Sequence, residues 1–405
     1  MSESQMNKIQ LRRDVTWILL SAWIGYIGLS FSPRWTPLLL TVPVLWTLSS
    51  RRHSAFGVMF AYNLAISRGL FSGAAVFLAE NHTSLEAACL WLLMVLGVSL
   101  PFALWSPRNG RKAALLVTAF LVAYVLPPIS LIGVVNPLMA AGCLFPGLGF
   151  QGLAATMFLY IFSTLNKRFA AVFLCFAVVL PFMPFSSVSE SLPSPPGFAI
   201  LNTSFGRLGS GSFSFERDFE RAQFVFSELR KRKNRGAGAE VILLPETIAG
   251  RFNNVGLELW KSEIRRWVGD ETAVVFGAEI PTGDGGKYDN ALVALRGAQF
   301  SFTRQRVPMP YSMYRGPCAE TGANLRLWDD GILELPDERV AAVLICYEAF
   351  LTWPVLLSMT REPDVLLVAA NLWWCRETSL PRSMGRAVAL WGKLFGVPIA
   401  FARNI

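Results

Sequence analysis

The chain has 405 residues, 53% apolar and only 16% charged, with 37 Lys/Arg against 28 Asp/Glu. That balance is oilier than a soluble protein of this length carries and points to membrane spans. The charge is uneven: residues 1–197 hold 12 Lys/Arg and 5 Asp/Glu, while 198–405 hold 25 and 23, so the near-neutral second half argues against a dedicated nucleic-acid surface.

Apolar stretches begin near Val15, Thr36, Ala55, Ala87, Ala113, Leu138 and Phe169. Several reach the roughly 20 residues that cross ~30 Å of hydrocarbon. Basic breaks alternate with others: Lys8, Arg12 and Arg13, then Arg51 and Arg52, then Arg108, Arg111 and Lys112, then Lys167 and Arg168. With the N-terminus in the cytoplasm, nearly all of these clusters are cytoplasmic, and about seven spans place residue 186 onward on the far side. Segment 129–165 is broken by Pro137 and Pro146 and reads either as one span plus a re-entrant piece or as two spans. The first stretch reads as an anchor rather than a signal peptide, since more spans follow and no A-x-A-like cleavage site is evident.

The expected organisation is a transmembrane domain at 1–185, a Ser/Pro linker at 186–197 ("SSVSESLPSPPG") and an α/β domain at 198–405. After the linker, strands and helices alternate. "GFAILNTSF", "AEVILLPET", "AVVFGAEI", "NALVAL" and "AQFSFTRQRVP" read as strands, as do "RVAAVLICYE", "DVLLVAANLWW" and "PIAFARNI". "FERDFERAQFVFSELRKRKNRG", "LELWKSEIRRWVG" and "SMGRAVALWGKLFG" read as helices. The basic run Lys231, Arg232, Lys233 and Arg235 suits a solvated helix end, with anionic lipid heads as the functional alternative.

Two buried strands end in reactive residue types, Glu246 and Cys346, and a third runs into Arg304. A carboxylate, a cation and a thiol suit acyl chemistry: the Glu takes the thiol proton, the thiolate attacks, and the cation with a backbone N–H holds the oxyanion. The bland reading of Cys346 is a small core residue, of Glu246 a strand-end partner, and of Arg304 an ordinary surface contact. Both histidines, His53 and His82, lie in the first half, so a His-based mechanism or metal site in the second half is excluded. No CxxC pair occurs, and no cofactor is indicated. Cys318 and Cys375 fit a disulfide if the domain is periplasmic, but unpaired cysteines are the simpler reading. Trp373 and Trp374 suit packing more than an acyl-chain wall.

"LLPET", "YDNALVALRG" with "FTRQRVPMP", "LICYEAF" and "LLVAANLWW" resemble, in order and spacing, the nitrilase superfamily. The resemblance implies an αββα sandwich with a Glu-Lys-Cys set. The "CYE" form behind a multi-span domain is similar to the apolipoprotein N-acyltransferases, and "QRVPMP" is closer to the TraB family of conjugal transfer proteins. By this resemblance Glu246 is the general base, Cys346 the nucleophile, Tyr347 the oxyanion N–H donor and Glu348 the supporting acid. Arg304 stands where the family has lysine, and guanidinium does not readily shuttle a proton. The carboxylate of the family's "PFGEY" segment is replaced by "MPYSMY", and the chain stops at Ile405, where the family continues, so the sandwich edge is expected to be incomplete. Three readings follow: a membrane acyltransferase using a Cys346 thioester, with phospholipid as donor; a silent membrane component working with other conjugation proteins; and a tethered amidase. A bacterial inner-membrane location with the second domain periplasmic is expected, without nucleic-acid binding.

Overall fold

The computed structural model describes residues 3–49, 51–78, 83–104, 112–133, 135–183, 194–208, 215–236, 238–283, 286–335 and 337–405. Arg108, Arg111 and most of the Ser/Pro linker lie outside them. The chain divides into two compact units: residues 1–191, 350–353 and 377–396, and residues 192–349, 354–376 and 397–405.

The first unit is helical. It contains α1 (Glu3–Ile27), α2 (Val42–Leu48), α3 (Arg52–Ile66), α4 (Arg68–Leu78), α5 (Ser84–Leu104), α6 (Lys112–Phe120), α7 (Ala141–Leu144), α8 (Gly149–Leu165) and α9 (Lys167–Val179). Among the described residues one helix, Ser84–Ala103, is long and apolar enough to cross a membrane. Pro137–Leu144 and Gly149–Leu165 pass together only as a pair bent by 109°. Three of the other apolar stretches form shorter pieces: α2 has 7 residues, α3 has 15 and α9 has 13. Proline contributes to this, because Pro33, Pro37 and Pro43 break the second stretch into a 3-10 turn and a short helix.

Polar groups turn inward in this unit. Asn63 donates to Ser99 at 3.1 Å and accepts from the Tyr124 hydroxyl at 2.9 Å. The Leu380–Phe395 helix belongs here too. Its Arg386 donates to the carbonyls of Leu29 (2.7 Å) and Phe31 (2.6 Å). Gly142 lets it approach, since a Cβ there would lie 2.4 Å from the Leu390 carbonyl oxygen.

The second unit is built on two sheets. The first runs β1 (Phe198–Ile200), β2 (Val241–Leu243), β3 (Ala273–Pro281), β4 (Lys287–Arg296) and β5 (Gln299–Arg304), with β6 (Gly322–Ala323) also on β4. The second contains β7 (Ile332–Glu334), β8 (Val340–Ile345), β9 (Val365–Asn371) and β10 (Ile399–Asn404), in the order β10-β9-β8-β7. Strand alternation sorts the side chains into two cores. Val241, Leu243, Val275 and Leu292 meet Val343, Ile345, Leu367 and Ala402 between the sheets. Ile242, Val274, Phe276 and Val293 point the other way, onto α10 (Phe215–Asn234) and α11 (Asn254–Val268). Burial on both faces explains the near-continuous apolar runs of β2, β8 and β9. Helices pack on the first sheet and the first sheet on the second, and β2, β8 and β9 all end at the site.

Candidate active site

β2 runs out through Leu244 and Pro245 into Glu246, which is buried. The turn presses on β3 so closely that only glycine fits at 277: a Cβ there would sit 2.3 Å from the Thr247 nitrogen. Thr247 itself takes a left-handed conformation (φ 53°). The Glu246 carboxylate accepts from Asn290 Nδ2 at 2.8 Å and from the Asn371 backbone N–H at 2.9 Å. The Cys346 thiol also lies within hydrogen-bonding reach. Burial pushes the carboxyl up to about 7; the three donors oppose that rise, and the nearby Glu348 adds to it.

Cys346 follows β8 directly and opens the 3-10 turn Cys346–Phe350. Its φ of 52° lies in the left-handed region, which costs a non-glycine residue about 1 kcal/mol and turns the half-buried side chain out of the strand. Sγ lies 4.0 Å from the Asn371 carbonyl oxygen. Burial first, and then the charge of Glu246, hold this thiol well above its ordinary range. Tyr347 is buried just after it, and burial raises its hydroxyl too.

Glu348 is buried beneath this turn. One of its oxygens accepts from the backbone N–H groups of Arg306 (2.6 Å) and Val307 (3.0 Å) and from Arg306 Nε (3.3 Å); the other accepts from the Ile345 N–H (2.9 Å). Arg306 is buried completely. Its guanidinium also reaches the carbonyls of Pro354 (2.8 Å) and Val343 (2.7 Å) and the Ser358 hydroxyl (2.6 Å). Gly331 makes room for it, since a Cβ there would lie 2.4 Å from the guanidinium carbon. The pair braces the turn that carries Cys346.

Arg304 goes elsewhere. Its Nε donates to Asp289 at 3.0 Å, it lies 3.8 Å from Asp329, and its guanidinium sits 5.0 Å from the Phe302 ring centroid. Arg326 and Asn324 share Asp289 with it. The next residue, Gln305, faces the site instead, as adjacent strand residues alternate. Its Oε1 accepts from Asn290 Nδ2 at 2.8 Å and its Nε2 donates to the Ile345 carbonyl at 2.9 Å. Among the described residues, no Lys or Arg hydrogen-bonds to Glu246 or Cys346.

The structure therefore brings Glu246 and Cys346 together, sets Glu348 beneath them and directs Arg304 to Asp289. Asn290, Gln305, Arg306 and Asn371 join them unforeseen. The signal was present for two: Asn290 opens the predicted strand "NALVAL", and Asn371 is the polar residue that follows the apolar run in "DVLLVAANLWW". Among the described residues no disulfide forms; Cys318 is exposed and Cys375 is buried.

No family model matches the chain. It is 32% identical over 409 residues to the conjugal transfer protein TraB of Agrobacterium fabrum strain C58, covering 96% of this chain and 92% of that protein. The chain belongs to the TraB family of conjugal transfer proteins. A second TraB relative, the probable conjugal transfer protein of Sinorhizobium fredii NGR234, is 30% identical, over 95% of this chain and 97% of that protein. Among solved structures, this TraB-family chain is similar to a mutant of the Nesterenkonia AN1 amidase from the nitrilase superfamily. That match is 14% identical, with a TM-score of 0.39, over 53% of this chain and 78% of the amidase. Another form of that amidase, with the acetamide moiety of fluoroacetamide added at its active-site cysteine, is 16% identical, with a TM-score of 0.37, over 53% of this chain and 79% of that one.

Proposed function

We propose that the protein acts in plasmid conjugal transfer as a membrane-bound component, and that its second unit is a nitrilase-type acyl site. In this reading Cys346 takes up an acyl group as a thioester while Glu246 carries the proton. The observation that supports it best is the approach of the Glu246 carboxyl to a thiol held in a left-handed turn. Strained backbone and a buried carboxyl are both costly, and such costs collect at functional sites.

The membrane assignment rests on the outward faces of the first unit. Leu19, Leu93, Phe158 and Val172 are each at least 60% exposed, on four different helices, while Asn63, Ser99 and Ser21 are buried. Apolar-out and polar-in suits lipid rather than water. With the basic clusters cytoplasmic, the reading is a multi-pass protein of the bacterial inner membrane with its second domain in the periplasm.

A second reading keeps the conjugal role but makes the site silent. It is favoured by Gln305, a neutral amide standing beside the pair where acyl chemistry would use a cation. One experiment separates the two. The detergent-purified protein is mixed with p-nitrophenyl octanoate and its intact mass is followed, with Cys346→Ala as control. A hydroxylamine-labile octanoyl adduct absent from the control supports the acyl site. No adduct in wild type, with one in Gln305→Lys, selects the silent scaffold. Mating frequency from a donor carrying Cys346→Ala then tests the conjugal role of the chemistry: unchanged transfer means that conjugation does not use it.

A further inference from the structure

Asn371 ends β9 with its main chain between the two reacting groups. Its N–H donates to the Glu246 carboxylate at 2.9 Å, and its carbonyl oxygen lies 4.0 Å from Cys346 Sγ. One residue therefore meets the base on one side and the thiol on the other. Asn371 is itself held by the neighbouring strand. Asn404 is its register partner, on the last rung of the parallel β9–β10 ladder.

Asn404 grips this strand end twice. Its side-chain Nδ2 donates to Asn371 Oδ1 at 2.8 Å, and its backbone carbonyl accepts from the Leu372 N–H at 2.7 Å. The second bond sets the direction of the Asn371 carbonyl. That carbonyl shares a planar trans peptide with the Leu372 N–H, so fixing the N–H on Asn404 turns the oxygen the opposite way, to the side where Sγ lies.

The rest of the Asn404 amide is spent on the chain that follows β1. Its Oδ1 accepts from the Thr203 hydroxyl (2.9 Å) and the Phe205 N–H (2.8 Å), and its Nδ2 also donates to the Gly206 carbonyl (2.7 Å). Both amide hydrogens and both acceptor positions are thus used. Turning the amide over would set donor against donor at Phe205 and acceptor against acceptor at Gly206, so its orientation is fixed. Asn404 is completely buried, in a strand whose other buried residues are Ile399, Ala400, Phe401 and Ala402. A carboxamide in that place needs every one of these partners to offset its lost hydration, whereas an apolar residue would need none.

We infer that Asn404 is a positioning residue of the site: acting through Asn371, it sets the approach of the Glu246 carboxyl to the Cys346 thiol. The inference rests on the acyl-site reading for the chemistry that the pair performs. Without the Asn404 amide, Asn371 relaxes at the strand end, and Glu246 loses a directed N–H that favours its ionised form. The carboxylate that takes the thiol proton then forms only at higher pH.

The test follows iodoacetamide alkylation of Cys346 against pH in the full-length protein in detergent, by peptide mass, with the exposed Cys318 as internal reference. Asn404→Ala is expected to move the midpoint of the Cys346 profile up by about one pH unit and to leave that of Cys318 in place. Asn371→Ala cuts the same contact from the other side and reads it if Asn404→Ala does not fold. The double variant is expected to move the midpoint no further than either single one, since the two residues act in series. Thr203→Val removes one of Asn404's partners on the loop and is expected to lower the unfolding temperature without moving the profile. A folded Asn404→Ala protein with the wild-type profile overturns the inference and makes Asn404 a strand brace only. Additive shifts in the double variant, or an equal shift in Thr203→Val, also overturn it, because the effect then travels by the loop and not by Asn371. Alkylation needs no acyl transfer. A wild-type protein that gives no adduct with p-nitrophenyl octanoate, yet shows the expected profiles, therefore supports the positioning role while the acyl reading fails.

Discussion

Asn290 ties Glu246 to Gln305 through a single nitrogen: its Nδ2 lies 2.8 Å from an oxygen of each. The carboxyl is thus held by a neutral amide that is itself held by another neutral amide. Solvation is lost on burial, and no opposite charge replaces it.

The first prediction follows from that balance. The Glu246 carboxyl rises from an ordinary 4.5 to about 7 in the folded state. Between these values the folded protein keeps a proton that the unfolded chain has released. Stability therefore falls as pH rises through this window, by about 3 kcal/mol in total. Thermal unfolding in detergent between pH 4.5 and 8 should show a declining midpoint in wild type and a flatter profile in Glu246→Gln. Parallel profiles would refute the assignment.

Arg306 and Glu348 form a pair sealed from water, so removing one member strands the other. Glu348→Leu alone should cost about 3–5 kcal/mol. Arg306→Met with Glu348→Leu should recover part of that loss. Denaturant unfolding of the single and double variants measures the coupling, and additive losses would mean that the two do not act as a pair.

Arg304 is partly exposed, and Arg326 also serves its partner Asp289. Arg304→Ala should change stability by at most about 1 kcal/mol. It should also leave the rate of iodoacetamide alkylation at Cys346 unchanged. Gln305→Ala should alter that rate, because Gln305 holds the carbonyl of the residue before the thiol. If the Arg304 variant changes the rate more than the Gln305 variant does, the assignment of the two side chains is reversed.

Cys346 sits at a φ of 52°, where glycine carries no penalty. Cys346→Gly should therefore be more stable than Cys346→Ala by about 1 kcal/mol, the reverse of the usual order of these two residues. Chemical denaturation of the two variants decides it.

The strands around the site were legible because β2, β8 and β9 are buried on both faces and so form unbroken apolar runs. Glu246 and Cys346 stood out as the polar ends of two of them. The third position was harder. A linear motif fixes a residue to within one step, and in a strand one step exchanges the two faces. "TRQR" therefore offered Arg304, the more familiar charge, while the backbone turned Gln305 inward. The brace was invisible for another reason: Arg306, Gly331 and Glu348 are far apart in the chain, and nothing local says that a glycine at 331 exists to admit a guanidinium. In the first half, apolar length announced spans, but proline placement decided how that length divided into helices.

The Leu380–Phe395 helix has a consequence for biosynthesis. It is translated after β1 to β9, yet it completes the unit that α1 belongs to, through Arg386 and the Leu29 and Phe31 carbonyls. The helical unit is therefore unfinished until β1 to β9 of the sheet-bearing one have been made. A fragment cut at the linker would emerge with those carbonyls unsatisfied and with the Gly142 groove empty. The two halves of this sequence are separable on paper, at residue 197, but not in the order in which the protein is made.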